Sequence, residues 1–410
     1  MKKISKIILL TLLLFVYIYT CNVTAIPNNI VTFEGEKLNL KTIYGLSVED
    51  FNLSETAPTS SNLGENKLET KSGTEKINLE LFGKVNLKTI SVNVIPKTKV
   101  IPIGRTIGMK LYTNGVLVVG MTEIQGKRNT KEKPYENSGI EEGDTIVEIN
   151  NKEINNTNEL IEAINESNGN EINVKYLKEG KIYETMINPA ETGSEYKLGL
   201  WVRDAAAGVG TLTFYEPNTN MFMSLGHGIE DIDTGKIVEI SNGELVTANI
   251  ISIIQGKKDN PGEIRGTIAN GNVIGKISKN TDLGVYGNIT NKENIGISLD
   301  KEVEVANRDE IKEGKASIIC QLDNNSPQEY EIEIEKIYIN NNKDNKSMVI
   351  KITDKNLLEK TGGIIQGMSG APVLQNGKFI GAVTNVFVKD PTQGYAIFGD
   401  LLIKQMRDVK

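Results

Sequence analysis

The sequence predicts a mainly β protein, with two packed β-barrels in its carboxyl-terminal half and a small α+β module in front of them. Three observations lead there. From Leu198 onward, short apolar runs alternate with Gly- and Asn-rich turns, the pattern of sandwich or barrel strands. About 210 residues follow this pattern, which is large for one barrel and comfortable for two. Between 101 and 190, a buried strand, a turn-strand unit and an amphipathic helix succeed one another as in a compact α+β unit.

At the amino terminus, three Lys within Met1–Lys6 precede an apolar run from Ile7 to Ile18, and Val23-Thr24-Ala25 supplies small residues for cleavage. That order is the order of an export signal. Cleavage after Ala25 and retention as a membrane anchor through residues 7–23 are both open to it. Cleavage would remove three Lys and no acids, taking the net charge from -7 to -10. Of the two Cys, Cys320 would then stand alone, unable to form an intrachain disulfide and expected to be buried.

Composition narrows the chemistry. With 46 Lys+Arg against 53 Asp+Glu, the chain lacks the basic surplus that binds a phosphate backbone, so nucleic acid is excluded as a partner. One His and two Cys cannot build the usual zinc sites, and no metal or other cofactor is expected. Any imidazole chemistry falls to His227.

Residues 26–76 are polar, most open at Ala57-Pro58-Thr59-Ser60-Ser61-Asn62, and read as a flexible linker. LNLKTI at Leu38–Ile43 is echoed by VNLKTI at Val85–Ile90. Alternating residues such as Val92 and Val94 make 77–100 a set of lead-in strands. In the module at 101–190, Gly115–Gly120 is a buried strand, Gly139–Ile149 a turn and strand, and Asn150-Asn151 a turn. Asn156 caps the following helix with Glu159 at its third position, and Leu160, Ile161 and Ile164 form its apolar face. GIEEGDTIVEINNKEI with this helix resembles PDZ domains of the bacterial exported-protease type. The resemblance implies that a loop captures a peptide carboxylate while a strand edge pairs with the peptide. The matching loop is Ile107-Gly108-Met109-Lys110-Leu111, which keeps Gly108 but departs from the Gly-Leu-Gly-Phe form. The plain alternative is an interdomain spacer.

In the region from 198 to 410, helices are expected only at Asn307–Gly314, at Asn356–Lys360 and in the last ten residues. Gly367-Met368-Ser369-Gly370-Ala371-Pro372 lies between the Gly362-Gly363 turn and a strand that reverses at Asn376-Gly377, the preferred two-residue hairpin turn. A Ser on such a bend exposes its hydroxyl, and the N–H groups of Gly367 and Ser369 can converge as an oxyanion hole. Ser224-Leu225-Gly226-His227-Gly228 supplies the base that a weak hydroxyl nucleophile needs. Asp231 and Asp233 are too near His227 in sequence to orient its ring and read as solvated turn acids. They fail as a calcium loop, because Lys236 and Asn242 stand where Gly and Glu belong.

GMSGAP is similar to the chymotrypsin-like GDSGGP, with Met368 in place of the polar residue, and the His-Asp-Ser order is kept. SLGHGIEDIDTG at Ser224–Gly235, TGGIIQGMSGAPVLQNGKFIGAVTNVFVKDPTQGYA at Thr361–Ala396 and the lead-in at Ile77–Gly104 resemble the stage IV sporulation protein B (SpoIVB) serine peptidases, which carry a PDZ domain. Asn385 stands where that family carries a His. The resemblance implies a chymotrypsin-like double barrel preceded by a PDZ domain, with Ser369 as nucleophile and His227 as base. It implies Asp354 as the orienting acid; Asp282, in Thr281-Asp282-Leu283-Gly284, is the alternative from the chymotrypsin-like pattern. It also implies an exported, self-processing endopeptidase of the space between forespore and mother cell. Its partner would be a membrane-bound regulator whose cleavage starts intramembrane proteolysis and activates a late mother-cell sigma factor. A non-catalytic PDZ scaffold with a degenerate protease-like domain is the competing reading.

Overall fold

The computed structural model describes residues 2–35, 46–48, 73–81, 84–127, 130–293, 301–339 and 345–409. Its first element is α1 (Lys2–Ala25), whose apolar side chains from Ile7 to Ile18 face outward. Lys6–Thr24 is long and apolar enough to cross a membrane. Four strands follow as one sheet in the order β1 (Asn29–Phe33), β4 (Val85–Ile95), β3 (Gly73–Leu81), β2 (Leu46–Val48). The alternation expected for 77–100 is real: Ile77 and Leu79 on β3 and Ile90, Val92 and Val94 on β4 point to one small core. The linker expectation fails at its start, because β1 pairs in parallel with β4 and buries Val31 and Phe33 against the second barrel. The most open part of that stretch and the LNLKTI segment lie outside the described residues.

β5 (Lys99–Met121) is the hinge of the architecture. Its first half belongs to a barrel and its second half to the α+β module. After it come β6 (Ile124–Gln125), β7 (Lys131–Glu132), β8 (Thr145–Ile149), β9 (Lys152–Glu153), α2 (Thr157–Glu166), β10 (Ile172–Lys178), β11 (Lys181–Ile187), β12 (Ala190–Thr192) and β13 (Glu195–Lys197). The cap of α2 forms as expected: the Glu159 N–H donates to Asn156 Oδ1 at 3.0 Å, and Glu159 Oε2 accepts from the Asn155 N–H at 2.8 Å. Leu160, Ala163 and Ile164 seal the module core with Val116, Val118, Ile146 and Ile172, while Ile161 faces solvent.

The first barrel is completed by β14 (Leu200–Glu216), β15 (Met221–Ser224), β16 (Ile240–Ile254), β17 (Glu263–Thr281) and β18 (Gly284–Ile289). The ring runs β5-β14-β15-β18-β17-β16 and closes where β16 pairs back onto β5. The barrel therefore does not begin at 198. Its opening strand is drawn from before the α+β module, which sits as an insertion between the first two barrel strands. Ile107, Met109 and Leu111 fill the barrel core with Leu212, Tyr215, Phe222 and Val285.

β19 (Val303–Glu304) leads to the second barrel, closed in the order β20 (Gly314–Cys320), β21 (Gln328–Ile337), β22 (Met348–Ile352), β25 (Gln393–Phe398), β24 (Lys378–Val386), β23 (Pro372–Gln375). α3 (Lys355–Thr361) and α4 (Gly399–Asp408) are the two later helices that the sequence pattern predicts. Asn307–Gly314 is instead a turn, fixed by the Asn307 N–H bond to Glu310 Oε2 and by the buried Arg308–Asp400 ion pair at 2.6 Å. The Asn376-Gly377 hairpin is present, with φ of 50° and 75°. Cys320 is buried in the second barrel, and burial pushes its thiol up to about 12.

Candidate active site

His227 and Ser369 come from different barrels and face one cleft of about 890 Å³. His227 lies in the loop that leaves β15, and Ser369 lies in the bend between α3 and β23. Gly370 lets the Ser369 bend touch the His227 loop, and Gly226 lets that loop pack on β24. A Cβ on Gly370, whose φ is 93°, would stand 2.6 Å from both Leu225 N and Thr211 O; a Cβ on Gly226 would stand 2.6 Å from Thr384 Cγ2. Leu225, between them, is held at φ 66°, a left-handed conformation costly for a bulky side chain.

The Ser369 bend is anchored to the first barrel. The Gln366 N–H donates to Gly262 O, the Ile264 N–H donates to Gln366 O, and Thr211 Oγ1 donates to Gly367 O, at 2.8, 2.8 and 2.6 Å. Gly367 itself sits at φ 96°. Among the described residues, the N–H groups of Gly367 and Ser369 make no backbone hydrogen bond, which leaves them available to an oxyanion.

The Ser369 hydroxyl donates to the carbonyl of Thr384 at 2.7 Å. His227 Nδ1 lies 2.8 Å from the carbonyl of Gly228. A carbonyl can only accept, so Nδ1 carries the proton and Nε2 is left as the basic nitrogen. Ser369 and His227 thus share a cleft while each rests on a backbone carbonyl.

The two candidate acids are separated by the fold. Asp354 is the N-cap of α3, with Oδ1 accepting the Leu357 N–H at 2.9 Å, and it does not line the cleft. Its helix leads into the Gly362–Gly367 bend. Asp282 is exposed at the turn between β17 and β18, directly against the His227 loop, where its carbonyl accepts the Gly228 N–H at 3.2 Å. Neither carboxylate lines the cleft or bonds to the His227 ring; Asp282 is the nearer of the two to the His227 loop, through its backbone carbonyl.

Asp231 also departs from expectation. It is not a solvated acid but a buried one, accepting from the Asp233 and Thr234 N–H groups and paired with Arg203 of β14; Asp233 pairs with the same guanidinium at 2.7 Å. Burial alone would raise the Asp231 carboxyl, but the two N–H bonds and Arg203 outweigh it and hold the group below the usual carboxylate range. The same loop is clamped from β17, where the Asn280 side chain accepts the Ile229 N–H and donates to the Ile229 and Val238 carbonyls. Sequence reading missed both Arg203 and Asn280. Their partners are distant in sequence, and no local motif marks them.

The expected peptide-binding loop is also corrected. Ile107–Leu111 pairs on one edge with Ala206–Gly210 of β14 and on the other with Gly243–Thr247 of β16, so no edge remains for a peptide. Gly108 serves packing: a Cβ there would lie 2.8 Å from Ile268 Cγ1. In the α+β module it is Leu200–Arg203 of β14 that flanks the second half of β5, preceded by the apolar-Gly-apolar run Leu198-Gly199-Leu200 with Gly199 at φ 78°. That run is closer to the Gly-Leu-Gly-Phe form than Ile107–Leu111 is.

The family model described as SpoIVB peptidase S55 matches residues 194–403. The chain belongs to the SpoIVB S55 peptidase family. A PDZ-domain model matches residues 107–188, which take in most of the inserted module and the end of the preceding barrel strand segment. As an S55 peptidase with a PDZ domain, the protein is a mainly β serine peptidase whose fold pairs two barrels with that module. Among solved structures it is similar to the crystal structure of the Rv3671c protease in its inactive form, with 13% identity over 49% of this chain and 84% of that chain at a TM-score of 0.28. A serine-to-alanine mutant of Rv3671c from M. tuberculosis H37Rv, also inactive, matches at 12% identity over 49% and 81% with a TM-score of 0.27.

Proposed function

We propose that the chain is an exported serine endopeptidase of sporulation that cleaves a membrane-associated protein regulator between forespore and mother cell, and that it also processes itself. Cleavage of the regulator would start intramembrane proteolysis and late mother-cell sigma factor activation. The observation that carries the catalytic part is the meeting of Ser369 and His227 from two barrels at one cleft, with two backbone N–H groups free of backbone partners beside the hydroxyl.

In the mechanism, a polypeptide entering the cleft displaces Ser369 Oγ from the Thr384 carbonyl, and the hydroxyl turns to His227 Nε2. Ser369 Oγ attacks the scissile carbonyl carbon as Nε2 takes its proton, and the oxyanion is held by the Gly367 and Ser369 N–H groups. Collapse expels the amine, which receives the proton from Nε2. Water then repeats the sequence on the acyl-enzyme and releases the acid. Asp282 supplies the negative charge beside the imidazolium, and Asp354 holds α3 and the bend behind the nucleophile. Export and membrane contact are assigned to α1, and residues 26–76 are the region assigned to self-cleavage.

The experiment is expression of the full chain and its Ser369→Ala form in sporulating cells, with terminal sequencing of the products. Self-processing should be lost in Ser369→Ala. Identical processing of both forms would show that another protease makes the cut.

A further inference from the structure

The cleft extends past the catalytic bend along a single strand. One edge of β14 pairs with β5 from Leu200 to Tyr215, but the other edge pairs with β15 only from Leu212 to Glu216. Between Leu200 and Gly210 this second edge has no strand partner among the described residues. Ala205–Gly210 wall the same cleft as Ser369 and His227. At one end, Thr211 is bonded to Gly367 in the nucleophile bend. At the other, Leu200–Arg203 is part of the PDZ sheet, with α2 alongside: the Thr157 N–H donates to Asp204 Oδ2 at 2.6 Å, and Asn165 Oδ1 accepts the Tyr196 N–H at 2.9 Å.

An open edge is a row of N–H and C=O groups waiting for a partner, and soluble proteins cover, shorten or bend such edges. Here the open stretch is long, lies between two closed units and begins at the catalytic serine's bend. We propose that it is a docking strand for the substrate: the part of the polypeptide C-terminal to the scissile bond adds to Leu200–Gly210 as an antiparallel strand. One continuous ladder then carries the substrate from Ser369 into the PDZ module. The proposal rests on the peptidase reading and names the binding mode of that same site.

Strand direction sets the polarity. β14 runs from the PDZ module toward the catalytic bend, so an antiparallel partner runs from the bend toward the PDZ module. Its C-terminal end arrives at Leu198-Gly199-Leu200, the type of loop at which PDZ domains receive a peptide end. At about 3.4 Å per residue, the open edge accommodates about ten substrate residues beyond the cut. Because backbone groups make the ladder, recognition depends on length and extension more than on side-chain identity. The ordinary division of labour, in which a PDZ domain and a protease bind separate parts of a substrate, is replaced by a shared strand.

The test uses the full chain and a library of random peptides of about sixteen residues tethered at their N-termini, enough to span the open edge at about 3.4 Å per residue. The cleaved members should carry about eight or more residues after the cut. Trimming the best substrate to about three residues after the cut should lower kcat/KM by about tenfold or more, the loss expected for several hydrogen bonds. N-methylation at alternate positions of that segment should have a similar effect, and at the intervening positions little, because alternate residues of an added strand face the ladder. Rates indifferent to trimming, or equal sensitivity at every position, would overturn the docking strand. Labelling of Ser369 by a fluorophosphonate in parallel reads the peptidase assignment alone. A chain that labels but shows no length dependence, or cleaves no library member, keeps its catalytic assignment and loses the docking strand. A chain that does not label loses both.

Discussion

The Arg203 guanidinium, on the strand that leaves the PDZ module, is paired with the buried carboxylate of Asp231 in the loop that carries His227. This contact ties the inserted module to the loop that carries His227. Arg203→Ala should leave Asp231 buried with only its backbone partners, costing about 1–3 kcal/mol. The expected result is a lower Tm together with a lower kcat on a peptide substrate, measured by calorimetry and steady-state kinetics. A loss of Tm with unchanged kcat would make the pair structural only.

The same pair sets an acid limit. Asp231 is held below the usual carboxylate range, against an unfolded value of about 3.9. A carboxyl depressed in the folded state adds stability that is fully present above the unfolded value and is lost as pH falls through the folded one. Asp231→Asn should therefore be less stable than the parent near neutrality and approach it as pH drops below about 4. Thermal melts across that range provide the check, and a constant gap would contradict it.

The roles of Asp282 and Asp354 separate by substitution. Asn caps a helix about as well as Asp, whereas Ala costs about 1 kcal/mol. Asp354→Asn should keep kcat near the parent value, and Asp354→Ala should lower Tm. Asp282→Asn should lower kcat by about 100-fold or more, within the range seen when a triad acid is neutralised. The opposite pattern of kcat values would give the orienting role to Asp354.

Gly370 cannot carry a side chain. Its φ is 93°, and an added Cβ would stand 2.6 Å from backbone atoms of Leu225 and Thr211, so Gly370→Ala should push the Ser369 bend away from the His227 loop. The expected outcome is loss of fluorophosphonate labelling with the far-ultraviolet circular dichroism spectrum preserved. Full labelling would show that the two loops have slack.

Much of this is legible in the sequence where the physics is local. The Asn156–Glu159 cap, the Asn376-Gly377 turn, the alternating strands at 77–94 and the burial of Cys320 all follow from residues close along the chain or from hydrophobicity alone. That Ser369 and His227 are the residues to look for is legible because the chain has a single His and a Gly-flanked Ser in a distinctive hexapeptide, and the fold brings both to one cleft. What local pattern does not carry is pairing between distant strands. Ile107–Leu111 looks like a loop before a PDZ strand, yet Val246 and Val209 take its two edges. Arg203 and Asp231 are separated by an entire hairpin, so a buried ion pair reads as a solvated turn.

The proposed peptidase activity requires Ser369 to be a nucleophile activated by His227. The most direct measurement is fluorophosphonate labelling of the full chain, mapped by mass spectrometry, in the parent and in His227→Ala. A single adduct on Ser369 is expected in the parent and none in His227→Ala, since no second imidazole exists to replace it. Labelling elsewhere, no labelling of the parent, or equal labelling of both forms would contradict it.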